Sequence, residues 1–329
     1  MNRVVWDAYE EFRCIAEKCP DSCCKGWIVD VDDASADYYR SLEGPLGDRL
    51  RQVLKTEDGA SFMELENDRC PMWREDKLCR IQAQLGHDAL CKVCREYPRL
   101  IMDYGDFAEW GVELSCPEAA RLIFRGVTAK TQSVPGAEPA EYDREWMELL
   151  QTGRQRILEF WTQTELDVPQ ALAVTLLYAY CLQQTPEGES APPVDAEHLL
   201  QTARSCAGAA QLQPMLDFFL QQEILTREWE DRLRRPDPGS WDPRLRHLAQ
   251  YLIRRYWLQS VWDYDLTSRA KFIVAACILV NSLGGDPVRT AQLFAKEIEN
   301  DPDNRDAILD AAYSHPAFTD ANLLGLLLK

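Results

Sequence analysis

Three thiols fall within CPDSCCKGW, residues 19–27, and two of them, Cys23 and Cys24, are neighbours. Adjacent side chains point in different directions, so neighbouring thiols rarely serve one small site. The chain carries 12 cysteines. Nine lie at or before Cys116: C-x4-C-x3-CC for Cys14, Cys19, Cys23 and Cys24, C-x8-C for Cys70 and Cys79, C-x2-C for Cys91 and Cys94, then Cys116 itself. Thiolate is a soft, anionic donor that suits iron–sulfur clusters and zinc. Short spacings supply two ligands from one turn, and distant cysteines close the site. Nine thiols exceed one tetrathiolate centre, which leaves one site with extra structural thiols, or two sites. A zinc ribbon would repeat the C-x2-C knuckle, and only one is present. The spacing therefore favours an iron–sulfur cluster over zinc, with plain buried thiols or a redox pair as further alternatives.

Other site signatures are missing. Cys19 and Cys23 supply the C-x3-C of a radical S-adenosylmethionine loop, but Gly26 stands where the third cysteine is required. No P-loop, G-x-G-x-x-G turn or H-E-x-x-H helix occurs, and no βαβ alternation points to a Rossmann methyltransferase. His87 is the one histidine near the cysteines, and a ligand role for it is disfavoured.

The elements that must position these thiols divide the chain in two. The expected fold is mostly α: an irregular cysteine-rich N-terminal domain with short helices and a small β-hairpin over residues 1–128, then an all-helical bundle over 140–329. DASADYYRSL and LGDRLRQVL read as helices, and FMELE (62–66) and FAEWGVELS (107–115) as a hairpin or strand pair. SCPEAARLIFRG reads as a helix with Ser115 as cap, Glu118 as capping-box partner and Gly126 as its end, which places Cys116 in a first turn that favours thiolate. TAKTQSVPGAEPAEYD (128–143) reads as a linker. Seven segments of helical period follow, from EYDREWMELLQTGRQRILEFW to DPVRTAQLFAKEIEND, and predict six or seven helices. Cys181, Cys206 and Cys277 sit singly in them and read as buried apolar residues.

Composition sets outer bounds. The net charge of −18 argues against a nucleic-acid partner and fits a cationic one. The start, MNRVVWDAYEEF, lacks the apolar stretch of a signal peptide, and the longest apolar run, FIVAACILV (272–280), is too short to span a bilayer. A soluble cytoplasmic protein without a membrane partner is the expectation, where many cysteines bind metal or react rather than form a disulfide framework.

FRCIAEKCPDSCCKGW, the CPMW…KLCRI…LG run, CREYPR and LSCPEAAR resemble the flagellin lysine-N-methylase family, with weaker similarity in YLIRRYW and FAKEIEND. The cysteine run is also similar to small iron- or zinc-chelating proteins. The resemblance implies methyl transfer from S-adenosylmethionine to lysines of flagellin or another lysine-rich protein, and a bound [4Fe-4S] cluster with zinc as the alternative metal. It places the metal ligands among Cys14, Cys19, Cys23, Cys24, Cys70, Cys79, Cys94 and Cys116, with Cys91 as a spare thiol. Arg234, Arg235, Arg254 and Arg255 are candidates to grip a carboxylate such as that of S-adenosylmethionine, against a solvated face as the plain reading. The aromatic residues Trp241, Tyr251, Tyr256, Trp257, Trp262 and Tyr264 read first as helix packing and second as a cation-holding cage. The general base and the S-adenosylmethionine site are not assigned by any motif. The alternative is a non-catalytic metal-holding protein with a helical partner-docking domain.

Overall fold

The computed structural model describes residues 2–134 and 139–328. It is mostly helical, with two small sheets. The strands are β1 (Asn2–Trp6), β2 (Val29–Val31), β3 (Leu54–Glu57), β4 (Ala60–Met63), β5 (Arg99–Asp103), β6 (Phe107–Val112) and β7 (Ala129–Ser133). The first sheet has the order β5-β6-β1-β7, with β1 parallel to β6 and antiparallel to β7. The second has the order β2-β4-β3 and turns through Asp58 and Gly59, both at positive φ, as a tight hairpin requires. The two expected strands thus belong to different sheets and do not pair with each other.

β7 occupies part of the stretch expected to be a linker, because its backbone completes the β1 edge. Residues 135–138 of that stretch lie outside the described residues. Gly111 in β6 faces Trp6 so closely that a Cβ would stand 2.6 Å from its ring, so only glycine lets this fully buried indole lie across the sheet.

Ten α-helices follow from Arg144 to Leu328. The expected LQPMLDFFLQQEILTREWEDRLRR helix is two, Gln213–Leu220 and Arg227–Arg234, the second capped by the Thr226 side chain. Pro302–Ala311 and Asp320–Leu328 add two helices beyond the seven segments. Leu266–Leu283 is buried nearly all round and packs against the 168–183, 245–256, 287–294 and 320–328 helices. It is 18 residues long and apolar enough to cross a bilayer, but 89% of it is buried inside the protein, as befits a central core helix.

The apolar core forms two clusters. The larger joins Trp6, Phe12, Leu114 and Ile123 to the helical bundle, and so draws on both sides of residues 128–140. The smaller lies within residues 29–91 and includes Cys70 and Cys91. Cys277 is buried as expected, whereas Cys181 and Cys206 are exposed on the solvent side of their helices.

Candidate functional site

The cysteine segments are brought together by backbone pairing. The Cys70 amide donates to the Cys24 carbonyl at 2.8 Å, and the Gly26 amide to the Asp68 carbonyl at 3.3 Å. Trp73 and Cys79 form a bridge, and the Arg80 amide donates to the Met72 carbonyl at 2.8 Å. Three short helices then start immediately after a cysteine: Arg80–Leu85 after Cys79, Lys92–Glu96 after Cys91 and Pro117–Ile123 after Cys116. The cap of the last is Cys116 rather than Ser115, and Glu118 pairs with Arg121 instead of closing a capping box. Ser115 is taken up elsewhere, beside the Tyr97 hydroxyl and the Asn300 amide.

These elements enclose a pocket of about 320 Å³. Cys14, Cys19, Cys23, Cys24, Cys79, Cys94 and Cys116 all line it, and Cys70 is buried behind it against Met63. The structure thus gathers seven of the eight expected residues on one cavity. His87 reaches the same wall but is half exposed. Among the described residues no three Cys, His, Asp or Glu side chains close tightly enough to hold a single metal ion.

The thiols divide by environment. Burial pushes Cys70 up to about 12 and Cys116 up to about 12, despite backbone amides that face each sulfur. Cys19 and Cys79 are raised for the same reason. Cys23 is lowered to about 7 because the Cys24 thiol hydrogen-bonds to it, and Cys91 is lowered to about 7 by Cys94 in the same way. Cys24 and Cys94 are raised, by their partner thiols and by burial. Cys91, read from the sequence as spare, lies beside Cys94 but does not line the pocket.

The rim is cationic although the chain is acidic. Arg13, Lys77, Arg95 and Arg99 line the pocket, none of them ion-paired among the described residues, against the single carboxylate of Asp21. Asp21 is itself claimed by the bundle. It lies 3.5 Å from Lys296 and 3.1 Å from Arg289, and accepts from Gln292 at 3.2 Å. Burial raises its pKa, but Lys296 and Arg289 outweigh this and hold it below the usual range.

Lys296 is 2% exposed and sits over the Trp27 ring at 4.8 Å. It belongs to a π-helical turn, Ala295–Glu299, that also buries Glu297 and Glu299. The extra residue of such a turn rotates neighbouring side chains apart, so three charges leave in different directions. Glu297 accepts from the Leu225 amide at 2.7 Å, and Glu299 takes Arg255 at 3.3 Å and the Tyr256 hydroxyl at 2.8 Å. Gln292 also donates to the Ser115 carbonyl at 2.6 Å. The 289–300 segment thereby holds both the Cys19–Cys23 loop and the turn before Cys116. Sequence reading missed this role. The signal was a lysine at helical spacing between Leu293 and the other apolar positions of one face.

Gly26 has φ +92°, and a Cβ there would meet Lys296 Cε at 3.4 Å. Backbone conformation and the buried lysine both disfavour a third cysteine at that position. The arginines also separate. Arg234 and Arg235 pair with Glu230 and Asp231 on the surface, and Arg255 is neutralised by Glu299. Arg254 has no carboxylate partner among the described residues. Tyr251, Tyr256 and Trp257 are core residues, as the packing reading expects, while Trp262 and Tyr264 are half exposed.

Comparison with known proteins finds relatives for part of the chain. It is 29% identical over 119 residues to the flagellar biosynthetic protein FliU of Salmonella muenchen, covering 34% of this chain and 70% of that protein. It is 29% identical over 129 residues to the lysine-N-methylases of Salmonella typhimurium and Salmonella choleraesuis, covering 37% of this chain and 32% of each of them. The match thus spans about a third of the lysine-N-methylases' length. No family model matches, and no solved structure matches.

Proposed function

We propose that this chain, similar to lysine-N-methylases over about a third of its length, is a protein-lysine N-methyltransferase whose thiol pocket holds an iron–sulfur cluster. The observation that carries the reading is the convergence of seven cysteines on one pocket. The donor set fits the group. Thiolates are its usual ligands, and the unpaired cations of the rim offset the negative charge of a thiolate cluster. Thiolates also suit zinc, which is the alternative metal for this pocket.

Bound there, a [4Fe-4S] cluster would cross-link the loops and supply a redox-active centre, with Cys23, Cys79 and Cys94 as first choices for its ligands. Loading displaces the thiol protons, so affinity rises with pH. The cationic rim repels a lysine ammonium and suits the pocket to the cluster rather than to the substrate. The transfer itself forms an N–C bond from the lysine lone pair to the methyl carbon as the C–S bond of S-adenosylmethionine breaks. S-adenosylhomocysteine leaves and the amine sheds its proton. The amine must first be neutral, against a free pKa of about 10.4. The substrate would be flagellin or another lysine-rich protein, in keeping with the names of the relatives.

Anaerobic purification followed by iron and sulfide analysis tests the cluster, and a colourless, iron-free protein removes it. Incubation with methyl-labelled S-adenosylmethionine and flagellin tests the reaction. Label recovered on lysine supports it, and an unlabelled flagellin sinks it for that substrate.

A further inference from the structure

A groove of about 960 Å³ shares no lining residue with the thiol pocket. Its floor is one face of the first sheet. Asn2, Val4, Phe107, Glu109 and Thr131 line it, and the strand register sets Asn2 beside Phe107 and Val4 between Glu109 and Thr131. Its wall is the Arg144–Gln163 helix, which turns Met147, Gln151, Arg154 and Leu158 towards the sheet at helical spacing. Arg254 enters from the Leu245–Tyr256 helix.

The two deep guanidinium groups differ. Arg154 is paired with Glu109, to which it donates from both terminal nitrogens. Arg254 has one bond, from Nη2 to the Val127 carbonyl at 3.3 Å, while its Nε is buried with no partner among the described residues. Burial and the neighbouring charge of Arg154 lower its pKa to about 10. The charges of Glu109 and Asp7 act on it without a direct ion pair, so an anionic ligand would supply the contact partner this partly buried cation lacks. At the exposed rim stand Arg144, one helical turn before Glu148, then Glu148 itself, with no partner among the described residues, and Glu159, which accepts from Gln155 at 2.8 Å. The groove therefore offers an anion site at its depth and a cation site at its edge. Its volume lies within the ~300–1,000 Å³ of small-molecule sites.

We propose that this groove binds a small zwitterion carrying an extra cation, its carboxylate on Arg254 and its cationic centre facing Glu148. Resting on the methyl-transfer reading above, that ligand is S-adenosylmethionine, and the donor site is separate from the thiol pocket. Its sulfonium faces Glu148, and Met147, Leu158 and Phe107 supply apolar surface for the base.

The test is equilibrium binding of S-adenosylmethionine and S-adenosylhomocysteine to the full chain. Arg254→Met should weaken both by about tenfold or more, the scale of one lost charged hydrogen bond, and Arg254→Lys should restore part. Glu148→Gln, at an exposed position that leaves folding intact, should weaken the sulfonium ligand and leave the neutral thioether unchanged. Unaltered binding in Arg254→Met, an equal effect of Glu148→Gln on both ligands, or no binding to the unsubstituted protein overturns the site. Methyl transfer measured alongside separates the two ideas. Transfer with Arg254-independent binding overturns the groove and keeps the methyltransferase. Arg254-dependent binding without transfer keeps the groove and sinks methyl transfer to the protein offered.

Discussion

The thiol pocket and the sheet-side groove are opposites in nearly every respect. The pocket is small, about 320 Å³, and its charged rim is cationic. The groove is three times larger, about 960 Å³, and its rim carries carboxylates. The pocket is walled by loops and helices of five to seven residues, most of them on the minor apolar cluster, with the Pro117–Ile123 helix alone drawn from the main core. The groove is walled by a sheet face and a 20-residue helix that belong to the main core. Local charge, rather than the overall −18, decides what each cavity accepts. The contrast also assigns stability. A region with so little apolar core depends on cross-links, whereas the bundle stands on packing.

The most severe way to break that contrast is to remove the thiols. Cys23→Ser with Cys79→Ser should abolish iron binding and expose residues 14–94 to trypsin, while a fragment spanning the 144–328 helices survives. Equal proteolysis of both regions would erase the distinction. Packing is probed by Leu279→Ala, at a fully buried position of the central helix. It should cost about 2–5 kcal/mol in urea unfolding, with iron content per folded molecule unchanged. The seam between the regions comes next. Lys296→Met should cost roughly 2–3 kcal/mol and loosen residues 19–27 to proteolysis, below the ~3–5 kcal/mol of a fully broken buried pair because Arg289 still holds Asp21.

The smallest effect belongs to surface charge on the bundle. The Arg244 guanidinium, by hydrogen bonding, holds Asp242 below its ordinary pKa. The unfolded carboxylate then takes its proton first as pH falls. The stabilisation is complete above the unfolded value and fades as pH drops through the folded one. Partial exposure keeps it under ~0.5 kcal/mol. Asp242→Asn should remove this acid dependence and nothing else, read from unfolding midpoints between pH 5 and pH 2.

Much of this was legible in the sequence, and what was not has physical reasons. Helical period revealed the bundle because each helix buries one face, and the cysteine spacing marked the residues that share a pocket. The sheet around β1 was invisible because its pairings join segments about a hundred residues apart, and register leaves no local trace. The π turn was missed because composition does not distinguish it from an α-helix. Lys296, Glu297 and Glu299 are buried in the structure, and helical period alone does not mark them as such. Arg254 and Arg255 are neighbours in the chain, and only the fold shows that one is neutralised and the other is not.

The position of β1 bears on the order of synthesis. It is an inner strand of its sheet, yet both of its neighbours are made much later. At the ~5–20 residues per second of translation, β1 waits many seconds for β6 and β7. During that interval Cys14 to Cys94 are already outside the ribosome, in a loop whose two ends are not yet tied. On the cluster reading proposed above, metal delivery to the nascent chain has an open window, which shuts when β6 and β7 close on β1 and the 289–300 segment seals the loop.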